Sequence, residues 1–170
     1  MKKLVKLLLF LFFSVQVIGQ SDYYWVGGSG NWSNYSSHWA TSSGGNIFHT
    51  TTPGSQDKVI FDNNSFNNEN QTVTLDADNE SVGDIFWSGV SNNPKFNMGS
   101  KALIIYGSVK FDPLMTIQSP GTLKFTSSSS ATLISAGLPL GTIEVEKTGG
   151  IFDQLDNYNF GGSIQIKDGT

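Results

Sequence analysis

The chain contains no cysteine and no arginine, and only two histidines, His38 and His49. Without cysteine there is no disulfide, no thiolate nucleophile and no Cys-based zinc site, so folding must come from burial and backbone pairing. The same absence argues against a lipid-anchored bacterial lipoprotein. Without arginine, and with seven lysines against fourteen acids after residue 19, the net charge there is −7. That balance argues against nucleic acid, whose phosphates need basic side chains, and against anionic lipid. It suits a soluble protein outside a cell. The two histidines match no zinc spacing, and Asp57 and Asp62 are the nearest acids downstream.

What is present first is a leader. Lys2, Lys3 and Lys6 precede the apolar run Leu7 to Phe13, and Val17 and Gly19 fit the −3 and −1 positions of a cut before Gln20. Residues 1–19 therefore read as a secretory signal peptide. The run is too short to span a bilayer, and Ser14 and Gln16 interrupt its extension. No membrane span is expected after cleavage, and the expected location is extracellular or the outer cell surface.

The rest is rich in Ser, Thr, Asn and Gly, with short apolar runs between, which is an all-β pattern. No stretch after residue 20 keeps a helical apolar period for three turns. Residues 20–56 form an aromatic, Gly/Ser-rich head, and residues 57–170 carry strands and an imperfect repeat. Aligned on glycine, the repeat reads GDIFW from Gly83, GSVKF from Gly107, GTLKF from Gly121, GTIEV from Gly141 and GSIQI from Gly162. Positions three and five are always apolar and should point together into a core, with two and four facing solvent. The intervals are 24, 14, 20 and 21 residues. A period near 20 predicts a parallel β-solenoid, or β-helix, whose coils bury their faces against one another. The interval of 14 fits poorly and leaves an antiparallel β-sandwich as the alternative. In the solenoid Lys124 should lie beside Glu144 as a weak exposed pair. The final strand is followed by only four residues and no cap, so the chain is expected to be the front of a longer protein.

The head, YYWVGGSGNWSNYSSHWA from Tyr23 to Ala40, concentrates Trp25, Trp32 and Trp39. Its glycines match neither a P-loop nor a dinucleotide loop, and Gly27, Gly28 and Gly30 read as turn residues. The tryptophans read first as the apolar plug of an N-terminal cap, and second as a sugar-stacking platform. Asp76, Asp78 and Glu80 could offer oxygen ligands to calcium, but they lack an established loop spacing; turn capping is the simpler reading. No other cofactor is implied. Glu144 and Glu146 share an ordinary solvated strand face rather than flanking a substrate, and no hydrolase motif is present.

The head, the DKVIFD segment from Asp57 and GDIFW from Gly83 together resemble the N-terminal region of large secreted surface proteins of gliding Gram-negative bacteria. Those proteins often carry a W-x-G-G-x-G-N-W-S head, a D-x-V-x-F-D segment and solenoid-like strands. The resemblance covers most of the chain after the leader. It implies an adhesin-like protein exported by a type IX system, and it implies a location and a shape more than an activity. The expected function is a secreted, non-enzymatic structural or adhesive module. The alternative is a carbohydrate-binding module, with surface glycans or other extracellular polymers as partners. An inactive remnant of a β-helical lyase is a third reading.

Overall fold

The computed structural model describes residues 19–157 and 159–167. The leader therefore lies outside the described residues, except for Gly19. No helix among the described residues is long and apolar enough to cross a membrane. Among the described residues the one helix is the short Tyr35–His38, and the others lie in strands, turns and loops.

The chain winds as a parallel β-solenoid with three faces. The first face is a seven-stranded sheet ordered Trp39–Ala40, Asp22–Trp25, Lys58–Phe61, Asp84–Trp87, Val109–Lys110, Ala131–Ile134 and Phe152–Gln154. The second holds Gly30–Asn31, Thr72–Thr74, Lys95–Asn97 and Thr116–Ser119. In the last two coils its place in chain order is taken by the paired strands Pro139–Leu140 and Asn159–Phe160. The third is a five-stranded sheet of Glu80–Val82, Ala102–Ile105, Thr122–Ser127, Thr142–Lys147 and Ile164–Ile166. Among the described residues every strand pair is parallel except one: Trp39–Ala40 runs antiparallel along the outer edge of Asp22–Trp25, and Ala40 makes a further antiparallel bridge to Phe48. The antiparallel sandwich is thus excluded.

The alternation expected for the repeat holds. Val82, Ile105, Phe125 and Val145 form one inward column on the third face, and Leu103, Leu123 and Ile143 form another. Val59, Ile85, Val109 and Leu133 do the same on the first face. All of them belong to one continuous buried cluster. The columns end in Ile164 and Ile166, which occupy inward register positions but are exposed at the end of the stack.

The glycine alignment needs correction. Gly83 and Gly107 lead into the first face, whereas Gly121, Gly141 and Gly162 lead into the third. The interval of 14 is a step between faces within one coil, not a short coil. True register partners recur at 24 residues on the first face (Ile85, Val109, Leu133) and at 20 on the third (Ile105, Phe125, Val145). The two corners share a pattern because they share a constraint. A Cβ added at any of these five glycines would lie 2.1 to 2.9 Å from a carbonyl oxygen of the preceding coil. Successive coils touch backbone to backbone at both corners, and only glycine fits.

The second repeat position also gains a reason. The Asp84 carboxylate accepts the Ser108 N–H (2.7 Å), and the Ser108 hydroxyl accepts the Thr132 N–H (3.0 Å). These polar side chains hold the neighbouring coil rather than merely facing solvent. The expected Lys124–Glu144 neighbours are in register, but the Lys124 ammonium goes to Glu146 at 2.6 Å. Lys167 bridges Glu144 at 3.0 Å and Glu146 at 2.8 Å. These lysine hydrogen bonds hold the Glu146 carboxyl below its usual range.

The corner constraint predicts that Gly121→Ala, whose methyl would meet the Lys101 carbonyl at 2.1 Å, destabilises the protein. The expected cost is about 1–3 kcal/mol in denaturant unfolding. Gly54→Ala, whose methyl makes only an ordinary 3.5 Å contact, should stay within about 0.5 kcal/mol of the parent.

Candidate functional site

Four places bear on function. The head comes first. Asp22–Trp25 and Gly30–Asn31 pair in parallel with Lys58–Phe61 and Thr72–Thr74, so the head supplies strands to the stack itself. Gly27 and Gly28 turn between these strands with φ of 80° and 77°, the left-handed region that favours glycine. The Gly28 carbonyl accepts the Trp25 indole N–H at 2.7 Å.

Trp25, Trp32 and Trp39 are completely buried (0 % exposed). Trp39 stands edge-on to Trp25 (4.8 Å, 79°) and to Trp32 (4.9 Å, 73°). Its indole N–H donates to the Trp32 carbonyl at 2.8 Å. His38 lies flat on Trp25 at 4.5 Å, and its Nδ1 pairs with the Val26 carbonyl at 2.7 Å. Phe61 stacks on Trp87 at 3.8 Å, carrying the aromatic core into the next coil. The three tryptophans are the plug of the first coil and offer no open face for sugar stacking. The second histidine, His49, stacks on Tyr23 at 3.6 Å, and its Nε2 pairs with the Asp22 carbonyl at 3.1 Å.

The second place is the acidic turn. Asp76 accepts the Ser33 backbone N–H at 2.9 Å and the Ser33 hydroxyl. Burial alone would raise its pKa, but these hydrogen bonds outweigh it and hold the carboxyl below its usual range. Asp78 accepts the Ala102 N–H at 2.7 Å and the Asn79 N–H at 3.1 Å. Burial pushes the Glu80 carboxyl up, and the negative charge of Asp76 adds to this. The residues face different coils. Among the described residues no group of three or more His, Asp or Glu side chains is placed to hold a metal.

The third place is a polar groove of about 300 Å³ along the corner between the third and first faces. Gln20, Asp84, Tyr106 and Ser127 to Ser129 line it. Ser127 sits at φ 124° and donates its hydroxyl to the Tyr106 carbonyl at 2.9 Å. Lys147 closes the groove's edge, its ammonium on the Ser127 hydroxyl at 3.3 Å and on the Ser129 carbonyl. Burial lowers the Lys147 pKa.

The fourth is a depression of about 330 Å³ on the outer side of the first face, lined by Lys58, Ile60, Phe86, Ser88 and Lys110. The residue pattern hid both open sites, because each is assembled from coils more than twenty residues apart. Phe86, the one aromatic residue at a repeat position that is otherwise polar, was the one signal available. Comparison with protein-family models, with curated proteins and with solved structures finds no match.

Trp39→Ala should cost about 3–5 kcal/mol in denaturant unfolding and weaken the near-UV aromatic signal. Trp87→Phe should cost less than Trp39→Phe, because the Trp87 indole N–H is buried with no acceptor whereas that of Trp39 is paired. For Glu80 the folded pKa is raised, so its ionised form opposes folding above that pKa. Glu80→Gln should therefore raise the melting temperature at neutral pH. The gain should vanish below about pH 4, where the parent residue is protonated in both states.

Proposed function

We propose that this chain is a non-catalytic structural or adhesive module of the cell exterior. The observation that carries the reading is one core running unbroken from Tyr23 to Val145, around which three outer faces display different chemistry in straight lines. Such a stack is a stiff spacer whose surface repeats a binding chemistry once per coil. The leader and the acidic composition support an extracellular setting. The resemblance of the head to secreted surface proteins of gliding bacteria supports export by a type IX route. The reading needs no cofactor, since the Asp76 and Asp78 oxygens serve neighbouring coils.

A second reading, a carbohydrate-binding module, is favoured by a different observation. The corner groove gathers serine hydroxyls, the Gln20 and Gln56 carboxamides and the half-open Tyr106 ring, groups suited to sugar hydroxyls. In this reading the tryptophans hold the fold and the groove and outer strip meet the glycan.

Beads coated with the protein should adhere to films of extracellular polysaccharide or protein, while the polymer keeps its length in size-exclusion chromatography. Shortening of the polymer would remove the non-catalytic reading. Beads that hold to no film would remove adhesion and glycan binding together.

A further inference from the structure

We propose that the outer side of the seven-stranded sheet carries a binding site for an acidic polysaccharide, centred on Phe86 and Lys110. The proposal rests on the second reading, a glycan-binding module, and gives it a ligand class and residues. Strand register places Tyr24, Ile60, Phe86, Lys110 and Ile134 side by side across five coils. All five are half-buried, with outward side chains. At the usual spacing between strands the row is about 19 Å long. That is the footprint of a chain segment rather than of a single small molecule.

The centre of the row has the right chemistry. Ile60 and Phe86 give the depression an apolar floor, and Lys58, Lys110 and the Ser88 hydroxyl line it with polar groups. The Lys58 ammonium lies 5.7 Å from the centre of the Phe86 ring. Its ion pair with Asp22 is loose, at 3.8 Å. Among the described residues Lys110 makes no ion pair. Asp84 stands opposite Lys58 in the register, but its carboxylate is occupied. One oxygen accepts the Ser108 N–H at 2.7 Å and the other the Gln20 amide at 3.3 Å. In a protein where acids outnumber bases twofold after the leader, two lysines thus flank one open aromatic ring.

A pyranose bearing an anionic group satisfies this arrangement at once. Its C–H face covers Phe86 and Ile60, its charge meets the lysines, and its hydroxyls reach Ser88. A neutral sugar leaves Lys110 without a partner. A purely apolar ligand strips water from two ammonium groups with no return. The anionic group can be a carboxylate or a sulfate ester, and the test separates them.

The test is affinity electrophoresis of the purified protein in gels containing polygalacturonate, a sulfated galactan, dextran or polyglutamate. Polygalacturonate or the sulfated galactan should retard the protein, and the stronger of the two identifies the group; added salt should reduce the effect. Phe86→Ala and Lys110→Ala should each weaken retention about three- to tenfold. Lys110→Arg should retain it, and Lys95→Ala, on the second face, should leave it unchanged. Circular dichroism checks the fold, and if Phe86→Ala unfolds, the Lys110 pair carries the test. Retardation by dextran that ignores both substitutions would overturn this site and leave the glycan reading standing. Equal retardation by polyglutamate would overturn the sugar in favour of an acidic polypeptide. No retardation by any polymer would overturn both.

Discussion

Every structural feature here depends on parallel backbone pairing between successive coils. Beyond the first coil, a strand in this stack has no antiparallel partner of its own. Its N–H and C=O groups are satisfied only by the coil before and the coil after. The spacing between coils is therefore fixed by hydrogen-bond length, and the corners must close to the same distance. That is why glycine recurs at both corners, where a methyl group would collide with a carbonyl of the coil beneath. It is also why so many acids and serines sit at the corners of the coils. Asp57, Asp76, Asp78, Asp84, Asp112 and Asp156 each accept a backbone N–H from a neighbouring coil. Much of the acidic excess that first suggests metal or solvent chemistry is thus part of the stacking apparatus.

A stack held this way has an end problem, and the head solves it at one end. The first coil is wide, with Tyr23 partnering Val59, thirty-six residues on, and Gly30 partnering Val73, forty-three on. The surplus chain folds back through Tyr35–His38 and lays Trp39–Ala40 antiparallel along the exposed edge. A parallel edge invites pairing with other chains; an antiparallel strand laid along it closes it. The tryptophans fill the interior that this wide coil leaves, with edge-to-face contacts each contributing about 0.5–1.5 kcal/mol beyond area burial. Trp32 and Trp87 keep unpaired indole N–H groups inside the core, so ring volume outweighed hydrogen bonding at those two positions.

The sequence made some of this legible and hid the rest for definite reasons. The alternation of apolar residues at the third and fifth positions is a local property of a strand, and it could be read directly. The face on which a strand lies is not local. Gly107 and Gly121 head almost the same five-residue string because both sit at corners with the same steric rule, and nothing in the string says which corner. Only the interval of 14 betrayed the step. The wide first coil was hidden for a similar reason, since its partners follow a long excursion. The concentration of tryptophans in the head points to a plug, which agrees with their burial, while the open sites require register that no single strand contains. The Lys124 pairing shows the limit on a smaller scale. Register set Glu144 opposite, but a long side chain reaches diagonally, and Glu146 received the ammonium.

A solenoid converts periodic sequence positions into lines on a surface, and the three lines here differ in kind. The third face carries a lysine–glutamate lattice in which Lys124 and Lys167 are committed to Glu144 and Glu146. The second face shows threonine and asparagine, with Thr72, Lys95 and Thr116 in one row and Asn31, Thr74 and Asn97 in another. The first face alone combines an open aromatic ring with an uncommitted cation. Charge that is already paired within a face contributes little to a partner, because an incoming group must displace the internal one. Lys110 has no internal partner to lose, so its attraction for an anion is offset only by desolvation. A row of weak contacts repeated along a stiff rod gains from holding them at fixed spacing, since ordering the second contact costs less once the first has formed. The rigidity that the corner glycines and acid clamps impose on the coils is then the same property that the proposed binding of a long polymer to a shallow face would draw on.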